Sequence, residues 1–294
     1  KNLNMFDFDI IKSNTLLGES GFYLHQTNEI VFLDLLNPSI IFYSIENKIL
    51  TKQKLSLPKP LGNIYPLENG KFIISCFKGL YIYDRTKDSF KHFIDVRKHN
   101  EIKDISYNDG TITKNKIWIG LCHIKETDDL GYFGYLQNKK FVEIDRGFKV
   151  SNGPAINEKL NHLYFSDSFN SSIYQYNLKT LKKKNIFKFD KKQGFPDGIA
   201  LDNKDGLWVA HWAGGQVSRI NLKTSKIDYQ IKLPALNITS VTFVGKELNH
   251  LFITTAKLET TKLQLEKYTH SGSSFIIKTE FKGLKIPYGN IKTL

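Results

Sequence analysis

The feature that most limits what this chain can become is a repeat. An apolar strand-like segment with a bulky residue at its centre returns six times: Ile30-Val31-Phe32-Leu33, Phe72-Ile73-Ile74, Ile117-Trp118-Ile119, Leu163-Tyr164-Phe165, Leu207-Trp208-Val209 and Leu251-Phe252-Ile253. The central positions 32, 73, 118, 164, 208 and 252 stand 41, 45, 46, 44 and 44 residues apart. A period of that length holds one supersecondary unit that cannot bury its apolar face alone, so neighbouring units must stack. The stretch Gly194 to Asn221 shows what one unit contains. Phe195-Pro196-Asp197-Gly198 reads as a loop that leads into the strand Ile199-Ala200-Leu201. The turn Asn203-Lys204-Asp205-Gly206 joins it to a second strand, Leu207-Trp208-Val209-Ala210. Gly214-Gly215 turns the chain again, Val217 and Ile220 mark a third strand, and Ile227, Tyr229 and Ile231 alternate inward on a fourth. Six such units predict an all-β chain, a six-bladed β-propeller with four-stranded antiparallel blades. Radial closure around a channel hides the sheet edges.

The repeat runs from about Leu17 to about Pro287 and leaves no room for a linker, so residues 1–294 read as a single propeller domain. A formal net charge of +13 raises the question of nucleic acid. The lysines are scattered through turns and few of the basic residues are Arg, so the reading is no nucleic acid. Cys76 and Cys122 fall in or just after apolar strand segments and read as buried thiols rather than a disulfide. No apolar run nears the roughly 18 residues of a membrane span, and the opening residues lack a signal-peptide profile. The expectation is a cytoplasmic protein without a membrane partner; a removed leader stays open because the chain starts at Lys, and the oligomeric state is not set.

Polar residues also keep step with the repeat. Glu19, Asn63, Asn108-Asp109, Asn152, Asp197 and Ser240 each stand just before the first strand of a unit, at intervals of 44, 46, 43, 45 and 43 residues when Asp109 represents the third. The first strand of a propeller blade is innermost, so residues at one phase form a ring at one end of the channel. Carboxylates and amide oxygens converging there suit a hard divalent cation. Asp and Asn also cap tight turns, which is the competing reading of each residue alone; the shared phase favours the ring.

Leu17-Gly18-Glu19, Asn108-Asp109-Gly110, Ser151-Asn152-Gly153 and above all Pro196-Asp197-Gly198 followed by Leu207-Trp208-Val209-Ala210-His211-Trp212 and Gly214-Gly215 resemble the gluconolactonase, regucalcin (senescence marker protein) and luciferin-regenerating enzyme family. The resemblance implies a six-bladed propeller with one divalent metal ion, Ca²⁺ or Zn²⁺ with Mg²⁺ or Mn²⁺ as alternatives, and hydrolysis of small-molecule sugar lactones. By motif, Glu19, Asn152 and Asp197 match the family's metal ligands, and Asn108 matches a residue at the substrate that can also lie near the metal. The family's Arg two residues before that Asn is Ser106 here, which puts substrate preference in question. Glu126 is nearest to an acidic position that touches the sugar. His123, in the loop after the third unit's strand, reads equally as a solvated loop residue or a substrate contact. His211 and Trp212 end a core strand and read as packing residues.

A bound ion would polarise the lactone carbonyl while Asp197, ligand and general base, takes a proton from water. The alternatives are a related propeller esterase or organophosphate-type hydrolase, and a non-catalytic propeller that binds a metal or a partner. No GxSxG elbow, glycine-rich phosphate loop, CxxC pair or HExxH helix is present, which sets aside the serine-hydrolase, nucleotide, redox and zinc-protease classes.

Overall fold

A computed structural model describes residues 8–99 and 102–294; the first seven residues, read above for a leader, lie outside that range. Six four-stranded antiparallel sheets form the blades of a propeller. The innermost strands, in chain order, are Gly18–Leu24, Leu61–Pro66, Ile105–Ile112, Ser151–Asn157, Phe195–Leu201 and Asn237–Val244. Each packs against its successor, and the sixth against the first, so the ring closes around a channel. The bulky residues of the repeat sit in the second strands: Glu29–Asp34, Phe72–Cys76, Ile117–His123, His162–Asp167, Gly206–Trp212 and His250–Ala256.

Burial explains why those segments are continuous apolar runs. An inner strand of a blade is covered on both faces by neighbouring blades, so both sets of alternate side chains must be apolar. Phe32 meets Phe252 at 5.0 Å across the first and sixth blades, Phe133 stacks on Phe165 at 5.8 Å across the third and fourth, and Trp208 meets Phe243 edge-on at 6.2 Å across the fifth and sixth. The outermost strands, such as Ile49–Lys54 and Lys183–Lys188, are largely exposed and carry lysines. Much of the positive charge therefore sits on solvated edges, where lysine also discourages edge-to-edge pairing.

Two features differ from the sequence reading. Phe195-Pro196-Asp197-Gly198 is not a loop before the strand but its first half. Pro196 pairs with His211, yet the next pair is Ile199 with Val209, so the strand bulges at Asp197 and Gly198. Proline and glycine, which suggested a loop, are tolerated where a bulge interrupts the regular pairing. The second feature is the closure of the ring. The outermost strand of the sixth blade is Phe8–Ile11, paired with Ser274–Lys278, so the beginning of the chain completes the blade formed by its end.

Beyond Lys278 the chain crosses the end of the channel opposite the polar ring. Asn203 N donates to Lys282 O (2.8 Å) on the fifth blade, Gly289 N to Pro66 O (2.9 Å) on the second, and Lys139 N of the third to Leu294 O (2.7 Å). A buried cluster anchors the start of this tail. Arg219 Nε donates to Asp202 Oδ2 (2.6 Å), its Nη1 donates to Asp228 Oδ2 (2.6 Å), and its guanidinium lies 4.1 Å from the centre of the Phe281 ring. Trp208 Nε1 also donates to Asp202 Oδ2 (2.8 Å). Removing one partner of a buried pair leaves an uncompensated charge. Arg219→Ala should therefore lower unfolding free energy in urea by about 3–5 kcal/mol. Lys223→Ala, which breaks the exposed pair with Asp205, should change it by less than about 1 kcal/mol. Equal small losses for both would show that the cluster does not hold the blade and tail together.

Candidate metal centre

The polar positions that keep step with the repeat all lie in innermost strands, near the end where those strands begin. The local reason is a shared irregularity. Register slips between Glu19 and Phe22, Leu61 and Ile64, Tyr107 and Gly110, Asn152 and Ala155, Pro196 and Ile199, and Ile238 and Ser240. A bulge frees a residue from the ladder and re-aims its side chain. Asn63, Asn108, Asp109 and Asp197 lie within such an irregularity, and Glu19, Asn152 and Ser240 at the edge of one, all at one end of the channel.

Hydrogen bonds lace neighbouring blades at this level. Asn63 Nδ2 donates to Asp109 Oδ1 (2.7 Å) and to Gly110 O (2.6 Å). Asp109 Oδ1 accepts from Gly110 N (2.7 Å) and Oδ2 from Gly153 N (2.9 Å). Asn108 Nδ2 donates to Asn152 Oδ1 (2.8 Å) and to Ser151 O (2.9 Å). The two neighbours that were in phase at the third blade thus divide the work, Asp109 tying three blades together and Asn108 facing Asn152.

Two serines that the sequence reading passed over set the geometry of the other side. Ser168 Oγ donates to Pro196 O (2.7 Å), so it must accept from Asn152 Nδ2 (2.9 Å). That bond fixes the flip of the Asn152 amide and turns its Oδ1 toward Asn108. Ser166 Oγ donates to Asp197 O (2.8 Å), which holds the main chain beneath the carboxylate. Their only signal in the sequence is a pair of hydroxyls at the end of an otherwise apolar strand.

The electrostatics are those of a site short of positive charge. Glu19 is 8 % exposed and Asp197 6 %. Burial raises the Glu19 pKa well above the usual carboxylate range, and the charge of Asp109 adds to it, against the Ser20 N–H and the Ser240 hydroxyl. For Asp197 burial is again the main cause, followed by the charges of Glu19, Asp109 and Glu126. Burial pushes Asp109 up to about 7, opposed by the N–H groups of Gly110 and Gly153. No basic side chain offsets any of the three among the described residues. Buried carboxylates need pairing or a metal, and hard oxygen donors around a flexible shell suit Ca²⁺ or a similar cation. No three His, Cys, Asp or Glu side chains are grouped for a metal among the described residues, so a centre here needs the Asn152 amide oxygen as its third donor. That oxygen accepts from Asn108 Nδ2, which leaves it one lone pair for a cation.

The remaining residues singled out from sequence lie at the same end or beneath it. Ser106 is 3 % exposed, with Oγ donating to Tyr107 O (3.3 Å). His123 ends its strand opposite Ile105, with Nδ1 4.0 Å from the Asp128 carboxylate. Glu126 is solvent-accessible in the loop after that strand; surrounding protein that thins its hydration, and then the charge of Glu259, raise its carboxyl pKa, and its charge acts in turn on Asp197. His211 is fully buried edge-on to Phe189 and its pKa is pushed down to about 3, so it is a neutral packing residue; Trp212 is partly buried. Cys76 and Cys122 are free and buried. A cavity of about 650 Å³ runs from Asn63, Asp109 and Ser240 to Leu284–Pro287 of the tail; Glu19, Asn108, Asn152 and Asp197 are not on its wall.

Fold and ring together define a six-bladed propeller with an acidic, amide-lined centre at one end of its channel. Residues 17–257 match the sequence model described as the SMP-30/Gluconolactonase/LRE-like region, and the chain belongs to that family. Regucalcin of Danio rerio is 27 % identical over 279 residues, covering 90 % of this chain and 92 % of its own. A calcium-binding protein, regucalcin, from Agrobacterium tumefaciens superposes with a TM-score of 0.88 at 18 % identity, covering 95 % and 96 % of the two chains. A gluconolactonase from Xanthomonas campestris gives 0.74 at 13 % identity, covering 94 % and 91 %. At these identities the two structures establish likeness of fold.

The raised carboxyl pKa values have a pH consequence whose sign is definite. Between the unfolded carboxylate range near pH 4 and the folded value near 7, the native protein binds more protons than the unfolded chain, so metal-free stability falls as pH rises across that window. A divalent cation competes with those protons. In thermal melts, saturating Ca²⁺ should raise Tm more at pH 8 than at pH 5. An equal rise at both values would show that the ion binds away from these carboxylates.

Proposed function

We propose that this protein is a divalent-metal-dependent hydrolase that opens lactones, with sugar lactones the class suggested by the family and its gluconolactonase member. The observation that carries the reading is the convergence of Glu19 and Asp197 with the oriented amide of Asn152, all at one end of the channel and without a basic partner. They come from the first, fifth and fourth blades. Capping of local turns would not require an amide flip locked by a serine from a second strand, and it would be met equally well with the carboxylates in solvent.

The ion, held by Glu19, Asn152 and Asp197, would supply a Lewis acid that polarises the lactone carbonyl. The protein's own contribution is to move one proton and to hold the parties still. Asp197 accepts a proton from the attacking water as oxygen bonds to the carbonyl carbon. The ring C–O bond then breaks, and the leaving alkoxide takes a proton to give the hydroxy acid. The hydroxyls of Ser166 and Ser168 on the main chain of Asp197 and Pro196 keep the carboxylate placed while its own contacts change. Asn108 has committed its Nδ2 to Asn152 and Ser151, which leaves it an acceptor oxygen suited to a substrate hydroxyl.

Asp197 has two duties that substitution separates. Asp197→Asn keeps the shape and one oxygen donor but cannot accept the proton, so lactone hydrolysis should fall by about 10²- to 10⁴-fold and excess metal should not restore it. Asn152→Ala removes a donor and no base, so its loss should be largely recovered at saturating metal. The check is kcat across a metal titration for both variants. Full rescue of Asp197→Asn would make Asp197 a ligand only.

A further inference from the structure

The catalytic end carries an aromatic pair that the proposed chemistry does not use. Phe195 directly precedes Pro196, and Phe169 directly follows Ser168, the two residues joined by the Ser168 Oγ–Pro196 O hydrogen bond. Their centroids are 5.9 Å apart, tilted by 40°. Phe169 is 43 % exposed, and Phe195 is partly buried. Lys149 Nζ lies 5.5 Å from the centre of the Phe169 ring, so a flanking cation attends the pair.

Other exposed apolar side chains stand on loops at the same end. Ile124, in the loop after His123, is 44 % exposed, and Leu263, in the long loop of the sixth blade that includes the helix Lys262–Lys267, is 77 % exposed. Both loops leave second strands at the same end as the ring. They come from the third and sixth blades. Solvent-exposed apolar groups gathered around a site mark a surface that meets something apolar. The amide and hydroxyl donors at the same mouth are spent within the protein: Asn108 Nδ2, Asn152 Nδ2 and the Ser106 hydroxyl. A polyol would find none of these amide and hydroxyl donors free.

On the reading that the ring is a lactone-hydrolase site, we propose that its substrates are neutral lactones bearing an alkyl or aryl substituent of several carbons, which packs on Phe169 and Phe195. Such a wall acts by burying methylenes beside the reacting ring, a gain bounded by partial exposure.

The test is kcat/KM for δ-valerolactone, δ-decalactone and δ-gluconolactone at saturating Ca²⁺, for the parent protein, Phe169→Ser and Phe169→Trp. In the parent, δ-decalactone should exceed δ-valerolactone by about 10- to 100-fold, chiefly through KM, and should exceed δ-gluconolactone. Phe169→Ser should reduce the decalactone-to-valerolactone ratio by about tenfold, and Phe169→Trp should keep it. If δ-gluconolactone is preferred, or if Phe169→Ser leaves the ratio unchanged, the inference is overturned while the lactonase reading stands. If no lactone is opened, both fall.

Discussion

Three carboxylates, Glu19 and Asp197 buried and Asp109 half-buried, stand at one level of the channel with no basic side chain to offset them among the described residues, and the rest of the structure serves that arrangement. Burial and mutual repulsion both oppose their ionisation. Only a scaffold that is stable elsewhere can hold them together. The closed ring of blades provides it, because each ring side chain arrives from a different innermost strand and none can withdraw without shifting a packed sheet. Ring closure is secured twice, by the pairing of Phe8–Ile11 with the last blade strand and by the tail that ties the fifth, second and third blades at the far end. A cation at the ring would bridge the first, fourth and fifth blades and so couple ligand binding to the stability of the whole propeller.

The periodicity of the sequence carried most of this architecture. Six apolar runs with a central bulky residue identify second strands because inner strands are covered on both faces, and the constant phase of Glu19, Asn63, Asn108-Asp109, Asn152, Asp197 and Ser240 places them in innermost strands. What was illegible depends on partners remote in sequence. Phe8–Ile11 precedes the first repeat, and nothing in four residues announces a partner at Ser274–Lys278. Pro196 and Gly198 are loop formers by local preference, yet a bulge lets the strand run through them. Ser166 and Ser168 gave no sign of their role, since their acceptors lie some thirty residues further on.

The same separation explains why the shared motif at Asn108-Asp109 could not be divided from sequence. Two adjacent polar residues at a bulge point to different neighbours, one to Asn152 and the other to Asn63 and Gly153, and only the folded backbone decides which. The positive charge of the chain, prominent in composition, lies largely on outer strands and turns and has no part in the ring. Local rules are followed in the shell and relaxed at the centre, which is where strain and unpaired charge are expected to mark function.

Anomalous scattering from crystals soaked in Ca²⁺ addresses the ring most directly. The result expected is one peak per chain, with oxygens of Glu19, Asn152 and Asp197 at about 2.3–2.6 Å. No peak at the ring, or a peak on the cavity side against Asn63 and Asp109 with Glu19 and Asp197 out of reach, would contradict it.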